Sequence, residues 1–102
     1  LDCLPNSVVT LELGKQFNQP IDKLPNSLKH LNLGEDFNQR VDNLPNGLTH
    51  LSFDLKFDQP VDNLPAGLKS LTISKNYRKP LDKLPVSVEI IRYWKCLLKK
   101  LI

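Results

Sequence analysis

The stretch LPNSLKHLNLGEDFNQRVDN, residues 24–43, decides the fold, because related copies of it fill the chain at a spacing of twenty residues. The Leu-Pro pair falls at Leu4-Pro5, Leu24-Pro25, Leu44-Pro45, Leu64-Pro65 and Leu84-Pro85, and an aromatic falls at Phe17, Phe37, Phe57 and Tyr77. A strict period in this range marks a solenoid, in which each unit buries its apolar face only against its neighbours. Each unit contains the pattern L-x-x-L-x-L: Val8/Leu11/Leu13, Leu28/Leu31/Leu33, Leu48/Leu51/Phe53, Leu68/Leu71/Ile73 and Val88/Ile91/Tyr93. The last two members of a triplet are two apart and share one face of a strand. The pattern predicts one short strand per repeat and a parallel sheet of about five strands, because a return path of about fourteen residues is long enough to cross over.

The return path carries further apolar columns, Ile21/Val41/Val61/Leu81 and the Leu of each Leu-Pro pair. Pro directly before the strand keeps its predecessor extended and sits where no ladder hydrogen bond is needed. A second Pro at 20, 60 and 80 stiffens the corner after the aromatic, and Arg40 breaks that column. So much Pro predicts extended return segments with short 3₁₀ or β-turns rather than a helix. The aromatic column is expected to point inward and stack. Beside it, Asn18/Asn38/Asp58 is expected to satisfy backbone groups that the corner leaves unpaired.

Composition bounds the rest. The 102 residues are 40% hydrophobic and 25% charged, which is neither a disordered nor a membrane composition, and no apolar run approaches the ~20 residues of a membrane helix. Residues 75–102 hold eight Lys/Arg against Asp82 and Glu89, a net +6, which leaves −3 for residues 1–74 out of a total of +3. Cys3 and Cys96 sit at opposite ends of the array, ~20 Å apart at the spacing of stacked strands, too far for a disulfide. With no Asn-x-Ser/Thr sequon, this favours an intracellular, cytoplasmic setting. Leu1-Asp2-Cys3-Leu4-Pro5 matches Ile21-Asp22-Lys23-Leu24-Pro25, so the chain opens inside a repeat and reads as part of a longer protein, truncated at its N-terminus.

The segment Phe17-Asn18-Gln19-Pro20-Ile21-Asp22, followed by Leu24-Pro25-Asn26-Ser27-Leu28, resembles the FNIP repeat, a leucine-rich-repeat variant of social amoebae and giant DNA viruses. The resemblance covers essentially the whole chain, although copies three and four drift to Phe57-Asp58-Gln59-Pro60 and Tyr77-Arg78-Lys79-Pro80. It implies a right-handed leucine-rich-repeat-like solenoid over residues 1–93 with the sheet on its concave side, and a recognition role. Some viral relatives carry an F-box ahead of such repeats and resemble substrate receptors of ubiquitin ligases; an F-box here would lie upstream of Leu1.

Strand positions that face away from the core form three columns: Thr10/His30/His50/Ser70/Ile90, Glu12/Asn32/Ser52/Thr72/Arg92 and Gly14/Gly34/Asp54/Ser74/Trp94. They vary while the core columns barely change, which suits a binding face on a rigid scaffold. The candidate contacts are therefore His30, Asn32, His50, Ser52, Asp54, Ser70, Thr72, Ile90, Arg92 and Trp94. Trp and Arg are frequent binding hot spots, although Trp94 would equally cap the last turn. His30 and His50 should lie side by side, yet two ligands fall short of a zinc site, and no metal or cofactor is expected. Asp22, Asp42, Asp62 and Asp82 repeat once per turn, which fits turn chemistry. No phosphate-binding Gly-rich loop, HExxH or GxSxG is present.

Residues 94–102, WKCLLKKLI, leave the period and place Trp94, Leu97, Leu98 and Leu101 at helical spacing, which predicts a short C-terminal capping helix. The expected function is a non-enzymatic module that binds a protein partner on its concave face, a monomer within a longer chain with no small-molecule substrate. A structural spacer without a dedicated ligand is the alternative, or weak membrane or nucleic-acid association through the basic end. The basic end lacks the aromatic interleaving of a single-strand binder.

Overall fold

A computed structural model describes residues 4–85 and 88–93. Five strands, β1 (Thr10–Glu12), β2 (His30–Asn32), β3 (His50–Ser52), β4 (Ser70–Ser74) and β5 (Glu89–Tyr93), form one parallel sheet in sequential order. The expected five-strand solenoid is what the chain forms. The predicted capping helix over 94–102, with Trp94 and Cys96, lies outside the described residues, as does Cys3.

Three turns shape each coil, one over the Asp column (Asp22-Lys23, Asp42-Asn43, Asp62-Asn63 and Asp82-Lys83) and two marked by a recurring backbone hydrogen bond. The first of these two closes over the Pro-x-x-Leu step, with Leu28 N–H donating to Pro25 O at 3.2 Å, and it recurs at Val8, Leu48, Leu68 and Val88. The second follows the strand, with Phe37 N–H donating to Gly34 O at 3.2 Å, and recurs at Phe17, Phe57 and Tyr77. The corners are thus single β-turns, and no 3₁₀ segment occurs among the described residues.

The core is a line of columns: Leu28, Leu48 and Leu68; Leu31, Leu51 and Leu71; Leu33, Phe53 and Ile73; Ile21, Val41 and Val61, all buried. That Leu28 and Leu31 both point inward needs an irregularity, because residues three apart on a plain strand face opposite ways. A repeated bulge supplies it. Val9 O accepts both Lys29 N–H (2.8 Å) and His30 N–H (3.0 Å); Lys29 O does the same for Thr49 and His50, and Thr49 O for Lys69 and Ser70. One extra residue per turn is absorbed there, and the inward–outward alternation is reset.

The last turn differs. Strands β1 to β4 pair at an offset of twenty residues, but Glu89 stands opposite Ser70, Ile90 opposite Leu71, Ile91 opposite Thr72 and Arg92 opposite Ile73. Lys69 O receives Glu89 N–H at 2.9 Å and the ladder runs straight on without the bulge. This corrects the placement of the final triplet. Ile90 and Arg92, expected on the outward face, take the register of the inward columns, and Ile91 takes an outward one.

The aromatic column stacks as expected. Phe17–Phe37, Phe37–Phe57 and Phe57–Tyr77 have centroids 6.3, 6.2 and 5.8 Å apart with planes within 14° of parallel. Phe53 adds a closer contact, 3.7 Å from Phe57. The Asn column serves the backbone of the following turn. Asn18 Oδ1 accepts Asn38 N–H at 2.9 Å, and Asn38 Oδ1 accepts Asp58 N–H at 2.9 Å. Gln39 and Gln59 Nε2 donate to the same oxygens at 3.0 and 3.2 Å. Asn38→Ala removes two such bonds at a partly solvated site and should cost about 1–2 kcal/mol, measured by urea denaturation; Asn76→Ala, outside the column, should cost less.

Where Arg40 interrupts the Pro column, its guanidinium binds Asp42 through Nε (3.0 Å) and Nη2 (2.9 Å). These bonds, and one from Asn63, hold the Asp42 carboxyl below its usual range. Other ion pairs link successive turns at the surface, Lys15–Glu35 at 3.5 Å and Lys56–Asp36 at 3.3 Å; such exposed pairs contribute about 0–1 kcal/mol.

Tyr77 ends the aromatic column. Its hydroxyl donates back to Gln59 O at 2.8 Å, and Arg92 Nη1 donates to its carbonyl at 3.2 Å. Burial, with Asp58 and Asp62 adding and Arg92 opposing, pushes the phenol up from 10.0 to about 12. Between those values the unfolded chain has lost a proton that the fold retains, so stability is complete below pH 10 and falls as pH rises toward 12. Alkaline denaturation curves should show this loss in the parent and not in Tyr77→Phe.

Candidate functional site: the outward face of the sheet

The outward strand positions line up as the register dictates. Thr10, His30, His50, Ser70 and Glu89 form one row, and Glu12, Asn32, Ser52, Thr72 and Ile91 the next. Gly14, Gly34 and Asp54 extend the pattern at the strand exits, whereas Ser74, expected in the same outward column, is buried at 4% exposure, and its Oγ accepts Asn76 N–H at 3.1 Å. The structure therefore brings His30, Asn32, His50, Ser52, Asp54, Ser70 and Thr72 together on one surface. It does not bring Ile90 or Arg92 there, and Trp94 lies outside the described residues. Sequence reasoning missed Ile91, whose exposure of 43% puts a bare aliphatic side chain beside Thr72. The signal was available in the doublet Ile90-Ile91, which fits either register.

His30 and His50 stack with centroids 4.5 Å apart and planes 18° from parallel. Thr49 Oγ1 lies 3.1 Å from Lys29 O, to which it donates, and 2.8 Å from His50 Nδ1. The hydroxyl thus ties the His50 ring to the backbone of the preceding turn. No group of three or more His, Cys, Asp or Glu side chains that could hold a metal ion occurs among the described residues.

Beside the His pair lies an open groove of about 540 Å³, lined by Glu12, Gly14, Asn32, Gly34, Ser52 and Asp54. The two glycines lower its floor. Asn32 Nδ2 approaches Glu12 Oε2 at 3.5 Å, and Asp54 Oδ1 accepts Leu55 N–H at 2.8 Å. Carboxylates, a carboxamide and a hydroxyl converge without a nucleophile–base pair, an arrangement that binds polar groups.

The family model described as FNIP Repeat matches residues 1–36 and 17–56, more than half of the chain. The chain belongs to the FNIP-repeat family. The drifting third and fourth FNIP copies continue the same strand, turn and aromatic spacing beyond the matched segment. A solved structure with this fold is that of CroV588, a giant-virus protein described as a novel circular LRR protein structure. The identity is 42% and the TM-score 0.77, over 87% of this chain and 14% of that one; this chain thus spans about one-seventh of the length of that one. None of the curated proteins matches. No helix among the described residues is long and apolar enough to cross a membrane.

Proposed function

We propose that this FNIP array is a non-enzymatic recognition module that binds a protein partner across the outward sheet face. One observation carries the reading. The rows Thr10/His30/His50/Ser70 and Glu12/Asn32/Ser52/Thr72 change in size and polarity from turn to turn, while Leu31, Leu51 and Leu71 behind them do not change. A rigid core that leaves one face free to vary is how solenoids present binding surfaces. The central contacts are His30, Asn32, His50, Ser52, Asp54, Ser70 and Thr72, with Ile91 as the apolar contact at one end. A circular LRR protein about six times as long as this chain and 42% identical to it over the shared segment supports placing this face within a longer array. Service as the recognition arm of an F-box-type ubiquitin-ligase receptor is one form such a module takes.

The test is site-specific photo-crosslinking in the cytoplasm. A photoreactive residue at His50 should capture a discrete partner, and the same residue at Asp62 on the return side should not. Asn32→Ala combined with Thr72→Ala should abolish capture while leaving the melting temperature unchanged. Equal capture from both positions, or capture indifferent to the double substitution, would favour a spacer that has no dedicated ligand.

A further inference from the structure

We propose that the outward sheet face recognises an arginine of its protein partner, with the guanidinium laid on the open side of the His30–His50 stack, over Ser70, and paired with Glu89. This contact deepens the protein-binding reading above and rests on it. The rings of His30 and His50 are 4.5 Å apart and 18° from parallel, about the spacing of the neighbouring strands that carry them. One more planar group at the same step would lie over Ser70, the next residue of the row. Ser70 has the smallest side chain in that row. The stack therefore stops at His50, whose ring has no second ring partner among the described residues.

The change of register in β5 supplies the charge. At an offset of twenty residues Ile90 would stand opposite Ser70, but Glu89 stands there instead. Its carboxylate follows the His pair in the same row, one strand beyond Ser70, and the residue is exposed. The two outward rows together contain Glu12 and Glu89 and neither lysine nor arginine, since Arg92 takes the register of an inward column. Lys69, next to Ser70 in sequence, occupies the bulge. Its equivalent one turn earlier but one, Lys29, carries its Nζ to the turn at 45–48, 3.4 Å from where a Cβ on Gly47 would stand. The face is thus complementary in charge to a basic segment.

A guanidinium suits both sides of this gap at once. It is planar and stacks on a ring face, and it keeps N–H donors at its edge for a carboxylate. An ammonium has the charge without the plane, and a neutral aromatic has the plane without the charge. The His50 ring is already positioned, because Thr49 Oγ1 lies 2.8 Å from its Nδ1 and donates to Lys29 O at 3.1 Å. Stacking on a ring held in this way costs little further rotational freedom. Glu89 is the adaptable member, with an exposed side chain long enough to reach the guanidinium edge.

The experiment titrates three blocked tripeptides, Gly-Arg-Gly, Gly-Lys-Gly and Gly-citrulline-Gly, into the whole chain at low ionic strength. The ring signals of His50 and the backbone amides of Ser70 and Glu89 are followed by NMR. The arginine peptide should shift all three saturably and bind on the order of two- to fivefold more tightly than either counterpart. Glu89→Gln should reduce its affinity to that of the citrulline peptide, and His50→Ala to that of the lysine peptide. Both residues are exposed, so each variant should keep the parent melting temperature. No saturable shift at Ser70, or equal affinity for the arginine and lysine peptides, would overturn the arginine assignment. Partner capture by crosslinking at His50 would survive either of those results, and its loss alone would count against the recognition module itself.

Discussion

Phe37→Ala should lower the free energy of unfolding by roughly 3–5 kcal/mol. Phe37 is 1% exposed and its ring lies between Phe17 at 6.3 Å and Phe57 at 6.2 Å. Truncation leaves a cavity that rigid neighbouring turns cannot collapse, and it removes two ring contacts worth about 0.5–1.5 kcal/mol each beyond burial. The effect should also propagate, since in a one-dimensional array each turn is stabilised mainly by its two neighbours. Urea unfolding monitored by circular dichroism should show a lowered midpoint. Phe17→Ala should cost less, because Phe17 is only partly buried and has a ring on one side. Equal losses at the two positions would mean that the column does not stack as a chain of pairs.

Gly34→Ala should destabilise by roughly 1–3 kcal/mol, while Gly14→Ala at the same place in the repeat should be near neutral. Neither glycine has a positive φ, so the difference is not conformational. A Cβ on Gly34 would run into the Gly14 carbonyl oxygen and would lie 2.8 Å from its carbon, whereas a Cβ on Gly14 meets nothing within 4 Å. The first two turns approach through bare backbone at this corner, and a methyl group there must push them apart. Because Gly34 also floors the groove beside Asn32 and Ser52, the same change should reshape the candidate binding face. Thermal melts of the two variants decide the matter: similar melting temperatures would show that the turns are not in backbone contact.

Much of this architecture was legible before any coordinates. The Leu-Pro pair, the triplet spacing and the aromatic column predicted the strand order, the parallel pairing and the stacked rings, and the side-by-side His30 and His50 followed from the period. Asn18 and Asn38 were readable as backbone acceptors because a short polar residue repeated at a corner has few other uses. The bulge was not readable, although L-x-x-L with both leucines buried required one. The contact of Phe53 with Phe57 was also missed, since Phe53 substitutes for Leu in its triplet and the pattern does not say how deep the ring reaches.

The candidate face was legible over its first four strands and misplaced on the fifth. Val88, Ile91 and Tyr93 satisfied the triplet as well as any earlier set, and Ile90 offered an equally apolar alternative one residue away. Register is strongly specified only where one face is buried. Ile90 and Ile91 remain 41 and 43% exposed, so burial differs little between the two settings.

Periodicity alone therefore determined the class of fold, the core columns and the position of the face, because a hydrophobic pattern repeated every twenty residues has one economical way to bury itself. Only the tertiary structure decided where the period breaks. Whether a carbonyl takes one N–H or two, as Lys69 O and Thr49 O do in turn, depends on the turn lying beside it. So does the difference between Gly14 and Gly34, two identical residues in equivalent positions, of which one meets open space and the other meets the backbone of its neighbour.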